Sequence, residues 1–215
     1  MRESILLRAD ERGSIASAVS ILRSGEVVAF PTDTVYGIGA DSQSASAIER
    51  LYAIKGRERQ KGIPLLLSRI EDMNLVARRV PEIAWELGKR FWPGALTLVL
   101  PKADDVLDIL TAGASVAVRV PDHSVTLTLI ASFGSPLATT SANLSGQREA
   151  QTAEEVKDVL GERVSLILDG GRSPGGLASS VVDLTGAKPV VLRRGALIKE
   201  VEAFLARTRP SNGEV

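Results

Sequence analysis

Four short polar clusters follow apolar runs in this 215-residue chain, and their side chains are of the kinds that hold anions, carboxylates and nucleotides. The first, Pro31-Thr32-Asp33-Thr34-Val35-Tyr36-Gly37-Ile38-Gly39, sets hydroxyls, a carboxylate and a phenol directly after Val27-Val28-Ala29-Phe30. Its glycines let backbone approach a ligand, although Thr and Asp there also suit a tight turn. The second, Lys55-Gly56-Arg57-Glu58-Arg59-Gln60-Lys61, pairs guanidinium forks with compact ammonium charges. That chemistry fits a polyphosphate, and a solvated charged face is the plainer alternative.

In the third cluster, Ser115-Val116-Ala117-Val118-Arg119-Val120-Pro121, period-two alternation puts Ser115, Ala117 and Arg119 on one strand face. An arginine in so apolar a strand needs an anion, because unpaired burial is costly. An internal carboxylate is the simpler partner, and a bound amino-acid carboxylate is the other. The fourth, from Pro136 to Gly146, is a strand that dissolves into Thr139, Thr140, Ser141, Asn143 and Ser145. Small donors and exposed backbone N–H groups can hold phosphate or base edges, or simply close a Ser/Asn turn. Ala178-Ser179-Ser180-Val181-Val182-Asp183 and Leu192-Arg193-Arg194-Gly195 again bring polar groups to strand edges.

Several chemistries are excluded. There is no cysteine and one histidine, His123, so disulfides, thiolate catalysis and Cys- or His-rich metal sites are absent. No Gly-x-x-x-x-Gly-Lys-Ser/Thr occurs, Gly37-Ile38-Gly39 lacks the third glycine of a dinucleotide fingerprint, and no Gly-x-Ser-x-Gly elbow is present. The 26 basic and 26 acidic residues balance, against a global nucleic-acid binder. No apolar run nears the roughly 18 residues of a membrane helix, and the N-terminus does not read as a secretion signal. We expect a soluble, cytoplasmic protein.

The elements that must position these clusters alternate early and become strand-rich later. Ile15, Val19 and Leu22 have helical spacing before Gly25, and Val27 to Phe30 reads as a buried strand. Ser46/Glu49, Ser68/Glu71 and Thr152/Glu155 have the capping-box spacing of helix starts. Strands are expected at 63–67, 96–100, 116–120, 137–140, 166–168, 181–184 and 190–192, with a last helix over 198–206. The expected fold is α/β, a single domain over 1–207 with a twisted mixed sheet, and a flexible tail over 208–215.

Read together and in order, the clusters resemble the YrdC-like family of threonylcarbamoyl-AMP synthases. The resemblance rests on Pro-Thr-Asp-Thr-Val-Tyr-Gly, Lys-Gly-Arg, Trp92-Pro93-Gly94 with Leu96-Thr97, Val-Ala-Val-Arg-Val-Pro, Thr-Ser-Ala-Asn-Leu-Ser-Gly, Ser-Ser-Val-Val-Asp and Leu-Arg-Arg-Gly, spread over about residues 15 to 200. It implies flanking helices around a concave basic pocket of the short, single-domain type. It also implies that L-threonine, bicarbonate and ATP give threonylcarbamoyl-AMP and pyrophosphate, and that partner proteins transfer the threonylcarbamoyl group to tRNA.

Carried over residue by residue, Thr34, Tyr36, Arg119, Thr139 and Ser179 match threonine-side positions, with Arg119 facing the carboxylate. Lys55, Arg57, Lys61, Ser115, Ser141, Asn143 and Arg193 match ATP-side positions. Lys55 and Arg57 would stabilise transition-state charge with no protein nucleophile, and Mg²⁺ would travel on the ATP phosphates rather than on protein ligands. Asp33 stands, by position, as a base for the threonine amine. Three residues depart from the pattern: Glu58 replaces a usual proline, Leu66 a frequent histidine and Glu149 a frequent serine. Direct RNA binding in ribosome maturation, and a carbamate-adenylating module of the hydrogenase-maturation type, are the competing functions. The low aromatic content, 4%, argues against stacking on RNA.

Overall fold

A computed structural model describes residues 4–56, 62–111 and 113–208. In chain order its strands are β1 (Ile5–Arg8), β2 (Val28–Phe30), β3 (Gly37–Asp41), β4 (Leu65–Leu66), β5 (Leu96–Pro101), β6 (Ser115–Arg119), β7 (Leu137–Ser141), β8 (Leu166–Asp169), β9 (Ser180–Asp183) and β10 (Val190–Arg193). The helices are α1 (Ser14–Arg23), α2 (Ala45–Lys55), α3 (Glu82–Phe91), α4 (Ser124–Phe133), α5 (Ala153–Leu160) and α6 (Ile198–Thr208). The strands form one sheet in the order β1-β8-β2-β3-β7-β4-β6-β5-β9-β10. Parallel pairs such as β2/β8 and β4/β6 alternate with antiparallel ones such as β3/β7 and β5/β6. The expected mixed α/β fold is therefore present.

Side-chain alternation along each strand divides the core. Ala29, Ile38, Leu65, Leu98, Val116, Val118, Ala138 and Ile167 face a large cluster completed by α2, α3, α5 and Val201 of α6. Their neighbours Val28, Phe30, Leu66, Leu137, Leu166 and Leu168 face the other way, onto Ala18 and Leu22 of α1 and Leu129 and Ile130 of α4. This second cluster ends at Leu66 and Leu137. Beyond it, the same face of the sheet carries the polar residues of the candidate site.

Several local expectations are corrected. α2 is capped by Ser44, whose hydroxyl accepts from the Ala47 N–H at 3.3 Å, so Ser46 lies inside the first turn. The segment after Ser68 is a 3₁₀ turn, Ile70–Leu75, in which Asp72 rather than Glu71 accepts from the Ser68 and Arg69 N–H groups. At Thr152 the expected cap is present, accepting from Glu155 N at 3.2 Å. Helix α6 runs to Thr208, one residue into the stretch expected as tail; 209–215 lie outside the described residues.

β3 was not expected, because Gly37 and Gly39 weaken a strand signal. Packing explains them: a Cβ on Gly39 would stand 2.7 Å from the Phe30 ring on the adjacent strand. The aromatic ring fills the space that side chains on β3 would need. β1, α3 and α4 were likewise not read from the sequence.

Candidate active site

The uncovered part of the sheet is the floor of a cavity of about 370 Å³, within the range of small-molecule pockets. β6 contributes Ala117 and Arg119, β5 contributes Thr97, and β7 contributes Thr139 and Ser141. Each alternates with a core residue on its own strand, so the packing that buries Val118, Leu98 and Ala138 aims the polar set outward. Thr34, Ser179, Arg193 and Glu149 complete the polar wall, and Pro64, Leu66 and Val181 supply apolar surface.

Within this lining, Arg119 is 8% exposed. Its Nε donates to the Gly94 carbonyl at 2.9 Å, one terminal nitrogen reaches Thr34 Oγ1 at 3.5 Å, and the other is ion-paired with Asp33. The internal carboxylate anticipated for this arginine is thus Asp33, from the loop between β2 and β3. Thr32 fixes that loop: its hydroxyl donates to the Val35 carbonyl at 2.6 Å and accepts from the N–H groups of Thr34 and Val35. Tyr36 also lines the cavity, but its hydroxyl donates to the Gly171 carbonyl at 2.7 Å and accepts from Gly170 N at 3.3 Å. Burial pushes this phenol well above the ordinary tyrosine pKa.

Also in the lining, Arg193 donates through Nε to the Ser179 carbonyl at 2.8 Å and through a terminal nitrogen to Ser179 Oγ at 2.9 Å. Ser179 Oγ also meets Thr97 Oγ1 at 2.8 Å. Gly195 makes this corner possible. A Cβ there would lie 2.5 Å from the Ser179 carbonyl oxygen and closer still to that of Ala178.

Under Ser141, the Lys55 ammonium at the end of α2 donates to the Ser141 carbonyl at 2.8 Å and to Asn143 Oδ1 at 2.5 Å. Asn143 is held in turn by its amide donating to the Gln147 carbonyl at 2.6 Å.

Thr34, Tyr36, Arg119, Thr139, Ser179, Ser141 and Arg193 are brought together around one cavity. Lys55 and Asn143 touch its wall through Ser141 without lining it, and Ser115, at the start of β6, stands outside the lining. Arg57 and Lys61, and the departure at Glu58, lie outside the described residues. Of the other two departures, Leu66 forms buried apolar wall and Glu149 brings a carboxylate to the cavity.

In the sequence, Thr97 stands out only as part of the Leu96-Thr97 motif. Its signal was a hydroxyl alternating with Leu96 and Leu98 in a strand of core residues. His123 precedes α4, and its Nδ1 is buried without a hydrogen-bond partner among the described residues. Burial lowers its pKa, opposed by the negative charges of Asp33 and Asp122.

This strand-floored cavity, with Arg119 and Arg193 in its walls, belongs to a defined class of protein. The family Sua5/YciO/YrdC, described as "Telomere recombination", matches residues 20–195, and the chain belongs to that family. It is 40% identical over 201 residues to a threonylcarbamoyl-AMP synthase of Pyrococcus abyssi, covering 93% of this chain and 59% of that protein. It is 42% identical over 202 residues to a threonylcarbamoyl-AMP synthase of Bacillus subtilis, covering 93% and 58%. The crystal structure of P. abyssi Sua5 complexed with L-threonine superposes with a TM-score of 0.87 at 39% identity, over 93% of this chain and 59% of that one. The chain therefore spans a little under three-fifths of the length of these relatives. No helix among the described residues is long and apolar enough to cross a membrane.

Proposed function

We propose that this protein is an L-threonylcarbamoyladenylate synthase, converting L-threonine, bicarbonate and ATP to threonylcarbamoyl-AMP and pyrophosphate. The observation that carries the reading is the convergence of Arg119, Thr34 and Thr139 with Ser141, Ser179 and Arg193 on one cavity. The names of the relatives support it over the RNA-binding and hydrogenase-maturation alternatives.

In this reading, Arg119 holds the amino-acid carboxylate, and Thr34, Tyr36, Thr139 and Ser179 complete the threonine side. Lys55, Arg57, Lys61, Ser115, Ser141, Asn143 and Arg193 form the ATP side. The threonine amine first becomes a carbamate by reaction with bicarbonate, with loss of water. A carbamate oxygen then attacks the α-phosphorus, the bond to the β-phosphate bridging oxygen breaks, and pyrophosphate leaves. Such a step needs alignment and charge stabilisation, which Lys55 and Arg57 supply, rather than a protein nucleophile.

Among the described residues, no group of three or more Asp, Glu or His side chains is placed to hold a metal. In this reading Mg²⁺ enters on the ATP phosphates. The product then passes in the cytoplasm to proteins that transfer the threonylcarbamoyl group to tRNA.

Pyrophosphate release from the purified protein with ATP, Mg²⁺ and bicarbonate, with and without L-threonine, tests the reading. Threonine-dependent release that Arg57→Ala and Arg119→Ala each abolish is the expected result. Release under no condition, together with salt-sensitive RNA binding, would sink it.

A further inference from the structure

We infer that Asp33 holds the amine of the amino acid while Arg119 holds its carboxylate, so that the ion pair is a two-ended receptor for the α-amino-acid group. The inference rests on reading the cavity as an amino-acid site.

Asp33 and Arg119 are ion-paired, and their side chains are only 14% and 9% exposed. They come from different elements, the loop after β2 and the end of β6, so their juxtaposition is a product of the fold. Arg119 spends its other bonds on Gly94 and Thr34, whereas Arg119 is the only side chain hydrogen-bonded to Asp33 among the described residues, with His123 near enough to feel its charge. A carboxylate carries about four acceptor positions on its two oxygens, so this one bond leaves Asp33 able to accept N–H donors.

Thr34, adjacent to Asp33 in the chain, lines the cavity, as does Arg119. Any α-amino acid bound to the guanidinium carries its nitrogen two bonds from the carboxylate carbon. At that reach, the Asp33 carboxylate stands beside the guanidinium that holds the ligand, while Glu149 is the carboxylate among the lining residues. Asp33 is on this account a positioning residue that orients the nitrogen for attack on bicarbonate. A purely structural role, propping Arg119, is the competing account, and the two differ in which ligands they affect.

Isothermal titration with L-threonine and with 3-hydroxybutyrate, which keeps the carboxylate and hydroxyl but lacks the amine, separates them. For wild type we expect L-threonine to bind at least tenfold more tightly. Asp33→Asn should weaken L-threonine at least tenfold and leave 3-hydroxybutyrate within threefold of wild type. Equal losses for both ligands would overturn the inference, because a displaced Arg119 harms every carboxylate. So would equal affinities in wild type, a result independent of whether the variant folds. Wild type that binds 3-hydroxybutyrate and L-threonine alike fails this inference alone; wild type that binds neither fails the amino-acid reading and this inference with it.

Discussion

Arg193 grips Ser179 twice, through its carbonyl at 2.8 Å and its hydroxyl at 2.9 Å, and so ties β10 to the chain entering β9 in the wall of the cavity. Because Gly195 lies against the backbone of Ala178 and Ser179, no side-chain movement can make room for a larger residue. Gly195→Ala should lower stability by about 1–3 kcal/mol and raise the KM for ATP. Thermal melting and pyrophosphate assays check both effects; a variant with unchanged melting and KM would contradict the close approach.

Lys55 is 3% exposed although it opens the most cationic stretch of the chain. Its ammonium satisfies the Ser141 carbonyl and Asn143 Oδ1. Lys55→Met keeps the length and removes the donors, so it should cost about 2 kcal/mol from unsatisfied acceptors. A shift of the urea midpoint without change of slope is the expected signature.

Tyr36→Phe removes the bridge between this core ring and the Gly170–Gly171 backbone. A loss of about 1–2 kcal/mol is expected, with a smaller effect on turnover than Arg119→Ala. In wild type, Tyr36 should resist ionisation well above the ordinary tyrosine range, as read by ultraviolet titration.

His123 has a folded pKa below its ordinary 6.5 because burial disfavours the imidazolium. The unfolded chain therefore binds the proton more readily. The stabilisation from this residue is complete above pH 6.5 and is lost as pH falls through the folded value. The melting temperature should drop as pH falls from 6.5 to the folded value, and His123→Gln should flatten the slope. It is the chain's one histidine, so no other imidazole confounds the measurement.

The strand periodicity and the polar clusters made much of this architecture legible, and particular residues show where that ended. Arg119 was readable as a charge needing an anion, because its strand neighbours are apolar. Its partner was not, since Asp33 lies 86 positions away and only the sheet order joins them. Lys55 had the composition of a solvated face, and its burial depends on acceptors that β7 and the following turn deliver from afar. β3 was hidden because its glycines accommodate Phe30 rather than contribute apolar side chains of their own. β1 lies at a sheet edge with Ile5 51% exposed, so its pattern lacked the burial that marks an inner strand.

In β6, Val116 and Val118 face the core while Ala117 and Arg119 face the cavity. This interleaving constrains how the gene can change length. Losing one codon within β6 would invert the facing of every residue on one side of the gap relative to the other. If the N-terminal part kept its place, a guanidinium would turn into the hydrocarbon interior and a valine into the ligand space. Substitutions at the cavity positions leave that facing intact. Natural variation in β6 is therefore expected to consist of replacements at fixed length, with insertions and deletions confined to the connecting loops.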